Sequence, residues 1–195
     1  MTNDSHEQIV QKVRIESEKT FEILYTQYAK MLYQYGLKFT SKNDLIEDCI
    51  QELFIKILSQ RKISYNTEGI KYYLMKSFRN NLIRLINKEK RYSLEEKDDY
   101  FFDISFSIEH QLIESELEQK KAKLLTEALK KLSVRQKEAI YLRYTNELEY
   151  EEIAEIMKMT IEGSRNLIYR AIKSLRRDLN GNNIVLLLIF GKGNF

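Results

Sequence analysis

The residues best suited to chemistry form a short basic segment near the C-terminus. Between residues 158 and 177, six Lys and Arg residues stand against the single acid Glu162. An Arg side chain can make two hydrogen bonds to the edge of guanine, and an Asn side chain can do the same with adenine. Arg165, Asn166 and Arg170 therefore supply groups that recognise duplex DNA. A basic helix face in contact with solvent alone is the alternative interpretation.

The pattern around this segment predicts a helix-turn-helix. One helix is predicted over residues 150–157 and a longer one over residues 161–179, with Lys158 in the turn between them. The small Ala154 allows the two helices to approach closely, and Thr160 can cap the second. In this arrangement the second helix lies in the major groove, and its first residues meet the bases. A helical hairpin without a DNA partner remains the alternative.

Composition favours an all-α fold for the whole chain. The 195 residues include no proline and only 6 glycines, and 43% of them are hydrophobic. Apolar residues recur at helical spacing on both sides of a polar, acidic stretch. We therefore predict two small helical bundles joined by an acidic linker: a domain at residues 1–92, a linker at 93–109, a helix-turn-helix domain at 110–180 and an apolar tail at 181–195.

The charges are distributed unevenly, although the formal net charge is only +3. Residues 71–92 carry seven Lys and Arg residues against Glu89, and residues 93–118 carry nine acids against Lys97. Two basic segments on either side of an acidic one suit a chain that holds a polyanion at two separated points. Two solvated helix faces and an acidic tether would give the same pattern.

The linker contains a short alternating pattern. Phe102, Ile104, Phe106 and Ile108 are separated by polar residues, which gives a period of two. A single strand without a partner is not stable, so we predict an extended linker, with a short edge strand as the alternative.

The remaining sequence features indicate a cytoplasmic protein. Cys49 is the only cysteine, which excludes an intramolecular disulfide and favours a reducing compartment. The polar N-terminus lacks the pattern of a signal peptide. The apolar run at residues 184–190 is far shorter than the roughly 20 residues that span a bilayer, so no membrane insertion is predicted. The tail Ile184 to Phe195 could pack on the C-terminal bundle, dock on a partner or be disordered.

The sequence offers little for catalysis or metal binding. His6 and His110 lie far apart, and the chain has neither a Cys/His cluster nor a glycine loop for phosphate. Asp48 and Glu52 are paired carboxylates, but nothing places a nucleophile or a metal beside them. We predict no catalytic residue, no metal site and no cofactor.

The C-terminal segment LSVRQKEAIYLRYTNELEYEEIAEIMKMTIEGSRNLIYRAIKSLRRDL resembles region 4 of sigma-70 family factors, particularly the extracytoplasmic-function (ECF) group. Its RQ, LRY and YEEIAEI motifs carry the resemblance. Val134 replaces the usual proline, and Lys158 replaces the usual turn glycine, so Lys158 would have to adopt a left-handed conformation. The resemblance implies recognition of the promoter −35 element. The implied residues are Thr160, Glu162, Ser164, Arg165, Asn166, Tyr169, Arg170 and Lys173.

The segment DLIEDCIQELFIKIL resembles region 2 of the same family, whose D-x-x-Q-E-x-F pattern forms a docking face for RNA polymerase. The resemblance implies that core polymerase is a partner, through its β′ clamp and β flap. The implied contact residues are Asp48, Gln51, Glu52 and Phe54. An ordinary amphipathic helix is the alternative for this segment taken alone.

The segment IKYYLMKSFRNNLIRLINKEKR resembles the promoter-melting helix of region 2. Unpaired bases stack on aromatic side chains while cations hold the backbone, although any single aromatic here could instead belong to the core. The residues implied for the −10 element are Tyr72, Tyr73, Lys76, Arg79, Asn80, Asn81, Arg84, Lys88 and Arg91.

Together the two resemblances imply an ECF sigma factor that directs promoter-specific initiation by recognising the −10 and −35 elements. The family also implies a linker that threads polymerase channels and an anti-sigma protein as a partner. The alternative is a stand-alone helix-turn-helix regulator, which would bind duplex DNA tightly without polymerase.

Overall fold

A computed structural model describes residues 18–59, 67–92, 100–104 and 116–179. The chain divides into two compact units, Met1–Tyr100 and Phe101–Phe195. The predictions for the N-terminal 17 residues and for the apolar tail lie outside the described residues, as does most of the predicted linker. Each unit is described below by itself.

The described residues of the first unit form three helices: α1 (Glu18–Gly36), α2 (Asn43–Ser59) and α3 (Thr67–Tyr92). Each helix places an apolar stripe against the other two, because apolar residues recur every three or four positions. Burying such side chains contributes roughly 1.5–3 kcal/mol apiece. Large buried side chains of this core include Leu32, Tyr35, Ile46, Phe54, Phe78 and Leu82.

Gly36, the last residue of α1, allows α1 and α2 to approach closely. A Cβ atom at this position would lie 2.7 Å from Cγ2 of Ile46 and 3.1 Å from Cζ of Phe78. Both neighbours are fully buried, so they have little room to move away. A larger residue here would separate the helices that carry the candidate site of this unit.

The second unit contains α4 (Glu116–Lys130), α5 (Val134–Ile140), a π-helical turn (Tyr141–Thr145), α6 (Tyr150–Ile156) and α7 (Ile161–Asp178). A capping box begins α5. The Ser133 hydroxyl accepts from the amide of Gln136 at 3.2 Å, and the Gln136 side chain accepts from the amide of Ser133 at 2.9 Å. The core includes Ala139, Ile140, Leu142, Ile153, Ile168 and Leu175.

The described part of the predicted linker, residues 100–104, contains neither helix nor strand. Tyr100 packs on Phe39 of the first unit, with 5.9 Å between ring centroids. In the second unit, Phe102 is 1% exposed and lies edge-on to Tyr141, while Asp103 pairs with Lys137 across 3.5 Å. Phe102 and Ile104 are buried and Phe101 is exposed, so burial alternates along this stretch.

The described residues form helices, turns and irregular segments without any strand, so the all-α prediction is confirmed for them. Within the same residues, no helix is both long enough and apolar enough to cross a membrane. The described part of the chain also lacks a group of His, Cys, Asp and Glu side chains that could hold a metal ion.

Candidate nucleic-acid and partner interfaces

Helix α7 begins at a defined cap. Thr160 has an extended backbone, and its hydroxyl accepts from the amide of Gly163 at 3.0 Å. This bond satisfies one of the amides that a helix start leaves without a partner inside the helix. The N-terminal end of α7 therefore has a fixed direction relative to the turn before it.

The turn between α6 and α7 depends on a left-handed residue. Lys158 has a φ of 52°, the left-handed conformation that its replacement of the usual turn glycine implied. The next amide, of Met159, donates to the Ala154 carbonyl at 2.9 Å, and Arg135 donates to the Met157 carbonyl at 3.1 Å. These bonds satisfy carbonyl groups at the end of α6 and offset part of the cost of the left-handed conformation.

One side of α7 is exposed and rich in hydrogen-bonding groups. Its side chains recur at three- and four-residue spacing, so they share one face. Neighbours within the helix interact: Asn166 donates to the Glu162 carboxylate at 3.3 Å, and Lys173 lies 6.0 Å from the centre of the Tyr169 ring. The exposed residues of this face include Glu162, Arg165, Asn166, Tyr169, Arg170 and Lys173.

Ser164 does not belong to that exposed face. Its side chain is fully buried, and its hydroxyl lies 3.0 Å from the Tyr150 carbonyl and 2.7 Å from the Ile161 carbonyl. The bond to Tyr150 ties α7 to the first residue of α6. Ser164 therefore holds the two helices together, and its side chain is not available for a base contact in this conformation.

Two guanidinium groups lie over the ring of Tyr150. The guanidinium carbon of Arg143 is 4.7 Å from the ring centre, and that of Arg165 is 5.5 Å from it. Arg165 also donates to the Glu151 carboxylate at 3.1 Å. Arg143 donates to Glu149 at 2.9 Å; burial lowers its pKa, but this carboxylate raises the pKa to a net value above the usual one.

Helix α3 exposes a narrower polar row. Asn80, Arg84 and Lys88 follow one another at four-residue spacing, and all three side chains are exposed. Tyr72, Tyr73 and Lys76 are only half-buried; the Lys76 ammonium donates to the Tyr72 hydroxyl at 2.7 Å. The side chain of Arg91, which was predicted to contact the same DNA, lies outside the described residues.

Arg79 is buried in the same helix. Its side chain is 6% exposed, and its guanidinium carbon lies 5.0 Å from the centre of the Tyr100 ring. A cation over an aromatic face is stabilised by the ring quadrupole. In this conformation Arg79 contributes to the packing of the first unit and does not face solvent.

Helix α2 presents a mixed face to solvent. Asp48, Gln51 and Glu52 are all exposed, and Ile55 (64%) and Leu58 (42%) extend the face by one turn. The face therefore combines carboxylate, amide and apolar surface on successive turns of one helix.

Phe54, in contrast, lies under this face and is 2% exposed. Its ring packs edge-on against the rings of Phe21 and Tyr25, with centroid distances of 5.8 and 5.0 Å. Aromatic pairs of this geometry contribute about 0.5–1.5 kcal/mol beyond their buried area. Phe54 therefore supports the face from inside.

A chain of hydrogen bonds joins α2 to α3. Asn81 donates to the Glu52 carboxylate at 2.7 Å, and Arg84 donates to the Asn81 carbonyl oxygen. Beneath them lies the thiol of Cys49, and burial raises its pKa to about 12. The structure thus brings together residues that the sequence assigned to two different partners, polymerase and the −10 element.

Models of two regions of one protein family match the chain. The model of sigma-70 region 2 matches residues 24–92, and the model of sigma-70 region 4 matches residues 122–175. Together the two matches cover more than half of the chain, in the order that the family has. The chain belongs to the sigma-70 family of sigma factors.

Individual relatives place this sigma factor in the ECF group. The ECF sigma factor SigM of Bacillus subtilis is 27% identical over 158 residues, which cover 80% of this chain and 93% of SigM. The sigma factor SigV of Bacillus subtilis is 27% identical over 159 residues, covering 82% and 90%. This protein is therefore an ECF sigma factor, which directs core RNA polymerase to promoters, and a stand-alone regulator is not favoured.

A solved structure has the same fold. The sigma factor RpoE of Bartonella quintana, in a co-crystal structure with the anti-sigma factor NepR, aligns with a TM-score of 0.57 and 22% identity. The alignment covers 84% of this sigma factor and 99% of RpoE. At this identity the likeness shows the fold alone.

The structure places several residues at the candidate interfaces that were not predicted from the sequence. Ile55 and Leu58 share the face of Asp48, and helical spacing alone could have shown this. Tyr150 and Glu151 contact a residue of another helix, 14 or 15 positions away, and no spacing rule predicts such a contact.

Proposed function

We propose that the exposed face of α7 binds the −35 element in the major groove, with Arg165 and Asn166 at the base edges and Arg170 and Lys173 nearer the phosphates. The observation that supports this is the exposure of the hydrogen-bonding groups on one side of a helix whose N-terminal end is fixed. Arg and Asn are the side chains that make paired bonds to guanine and adenine. Thr160, at the N-terminal end of α7, contributes its backbone amide to phosphate binding. Ser164 positions the helix.

For the −10 element, we propose that the row formed by Asn80, Arg84 and Lys88 contacts the separated strands. The half-buried Tyr72 and Tyr73 lie on the same helix and offer ring surface on which bases can stack. Base stacking of this kind offsets the few kcal/mol that unstacking costs. Arg79 supports the helix from within, and Asn81 connects it to α2.

We further propose that the α2 face binds core polymerase, through the β′ clamp as the family resemblance implies, while the second unit meets the β flap. Asp48, Gln51 and Glu52 provide polar contacts, and Ile55 and Leu58 add apolar area at the same surface. A core of apolar contacts with a polar rim is the usual composition of protein interfaces. Phe54 holds this surface in place and does not itself touch the polymerase.

An anti-sigma protein is a proposed second partner. The structural neighbour RpoE was crystallised with its anti-sigma factor NepR. A protein that covers exposed faces of either unit would prevent them from binding polymerase and DNA. The proposed location is the cytoplasm, where polymerase and promoter DNA are found, and the proposed function requires no catalytic residue of this chain.

The polymerase-binding face is tested by reversing one charge. Glu52→Lys should weaken the affinity for core polymerase by about 2 kcal/mol or more, because it breaks a polar contact and places a cation at the interface. Affinity is measured by fluorescence anisotropy with labelled sigma factor and purified core enzyme.

Glu22→Lys is the matched control, since Glu22 is an exposed carboxylate of α1 and the charge change is the same. The control variant should keep the wild-type affinity. Equal affinity of the Glu52→Lys variant and the wild type, with the fold intact by circular dichroism, would remove the assignment of α2 as the docking face.

A further inference from the structure

Tyr150 lies at the junction of the helices of the helix-turn-helix. It is the first residue of α6, and α7 contacts it twice. The Ser164 hydroxyl donates to its carbonyl at 3.0 Å, and the Arg165 guanidinium lies over its ring at 5.5 Å. The main chain and the ring of one residue are therefore both in contact with the part of α7 proposed to meet the bases.

A second cation also contacts the Tyr150 ring. Arg143 lies 4.7 Å from the ring centre, and its guanidinium donates to the Leu148 carbonyl at 2.8 Å and to Glu149 at 2.9 Å. Arg143 comes from the π-helical turn, whereas Arg165 comes from α7. Two guanidinium groups from two different elements therefore contact the Tyr150 ring. That of Arg143 is also held by a hydrogen bond to the backbone.

Arg165 has a second contact at this place. Its Nη2 atom donates to Oε1 of Glu151 at 3.1 Å, although both side chains remain more than half exposed. Stacking uses the face of the guanidinium plane and leaves the N–H groups at its edge available. One edge position is taken by Glu151, and the Arg165 side chain as a whole remains 56% exposed.

We propose that Tyr150 is a positioning residue for Arg165, and that Glu151 holds the guanidinium on the ring until DNA replaces it. A free Arg side chain loses much rotamer freedom when it binds a base, and a side chain already held in place loses less. The Glu151 carboxylate also pairs with the Arg165 charge, and DNA acceptors must replace this contact when Arg165 binds. The proposal rests on the proposed contact of Arg165 with the −35 element.

The test measures discrimination by the holoenzyme between two duplexes. One duplex is selected from a random library by the wild-type holoenzyme, and the other carries an altered upstream element. Tyr150→Leu should lower the affinity ratio about two- to fivefold, the range of a cation–π contact at an exposed site. Tyr150→Phe should restore the wild-type ratio, because the ring face is retained.

The same substitutions are then made together with Arg165→Ala. If Tyr150 acts through Arg165, Tyr150→Leu has no further effect on the ratio in that background. An equal fall in both backgrounds, or a Tyr150→Phe variant as poor as Tyr150→Leu, would overturn the proposal. A ratio unchanged by Arg165→Ala alone would overturn the proposed base contact as well, so the two failures are distinguishable.

Glu151→Gln is the second variant, in case Tyr150→Leu fails to fold. Glu151 is exposed, so this change leaves the core intact while it removes the charge that pairs with Arg165. The discrimination ratio should fall only when Arg165 is present. A fall of the same size in the Arg165→Ala background would contradict the positioning role.

Discussion

Helices α3 and α7 are both proposed to bind promoter DNA, but they present their side chains in different ways. Helix α7 keeps its polar groups on one exposed face, and its core side, including Ile168 and Leu175, is separate from it. Helix α3 has an exposed row formed by Asn80, Arg84 and Lys88, while Arg79 and Phe78 of the same segment are buried. Packing and DNA binding thus use different faces of α7 but neighbouring positions of α3.

The difference corresponds to the form of DNA that each helix is proposed to meet. A duplex presents its base edges in a groove, and a single projecting face of a helix can reach them. Separated strands bind to ring surfaces, on which bases stack, and to cations, which hold the backbone. A half-buried aromatic side chain provides a rigid ring surface of this kind. We therefore expect substitutions of the buried and half-buried residues of α3 to change stability and DNA binding together, whereas substitutions on the exposed face of α7 should change DNA binding alone.

The largest expected effect is a difference in the free energy of unfolding between variants of a buried aromatic residue of α3 and an exposed aromatic residue of α7. Phe78→Ala should lower the free energy of unfolding of the first unit by about 3–5 kcal/mol, because it leaves a cavity in the core. Tyr169→Ala, at a ring that is 63% exposed, should leave the stability of the second unit nearly unchanged. Chemical denaturation of the full chain measures both, and similar losses would contradict the comparison.

The second prediction concerns neighbours in α7. Arg165→Ala should weaken promoter binding by about 1–3 kcal/mol if it contacts a base directly, and the loss should depend on the −35 sequence. Ser164→Ala should cost about 1 kcal/mol of stability, because the buried hydroxyl bond to α6 is lost, without changing base preference. Binding to duplexes with altered −35 elements distinguishes the two variants. A change of base preference in the Ser164→Ala variant would mean that Ser164 does contact the −35 element.

A smaller effect distinguishes two adjacent asparagines of α3. Asn81→Ala should lower the affinity for core polymerase by about 0.5–1.5 kcal/mol, since Glu52 loses the hydrogen bond that orients it. Asn80→Ala should leave core affinity unchanged and slow promoter opening. Core affinity is measured by anisotropy and opening by a fluorescent base in the −10 element. The opposite pattern would mean that the faces of α2 and α3 are assigned the wrong way round.

The smallest effect is a pH dependence confined to the first unit. Burial raises the pKa of Cys49 from 9.0 to about 12, so folding favours the protonated thiol. The stabilisation is complete below the pKa of the unfolded chain and is lost as pH rises above it. Between pH 8 and 9.5 the unfolding free energy should fall by about 0.8 kcal/mol on this account. In a Cys49→Ala variant, the free energy of unfolding should fall less over this pH range. An identical pH dependence in the variant and the wild type would contradict the prediction.

Much of the fold could be predicted because local chemistry determines it. The capping box at Ser133, the cap at Thr160 and the left-handed Lys158 each depend on a few consecutive residues, and each is present. Apolar spacing likewise predicted the buried sides of the helices. The π-helical turn after Ile140 was not predicted, because it keeps the composition of an ordinary helix and differs only in how the backbone closes.

The sites could be predicted less completely, because a residue type does not show which side of a helix it occupies. Ser164 shares its helix face with the buried Ile168 and Ala171. This spacing indicates burial, but Ser164 was assigned to the −35 contacts from the family resemblance. Arg79 is charged, and its burial under Tyr100 depends on a contact 21 positions away. The bond between Asn81 and Glu52 likewise joins two helices, so only tertiary structure could reveal it.

The central claim is that this sigma factor directs initiation by holding the promoter at two points while bound to polymerase. Run-off transcription with purified core polymerase tests it most directly, on templates in which the −10 or the −35 element of a selected promoter is altered. We predict a transcript of defined length that requires both elements and the sigma factor. The absence of any promoter-specific transcript, together with failure to co-purify with core polymerase, would contradict the account.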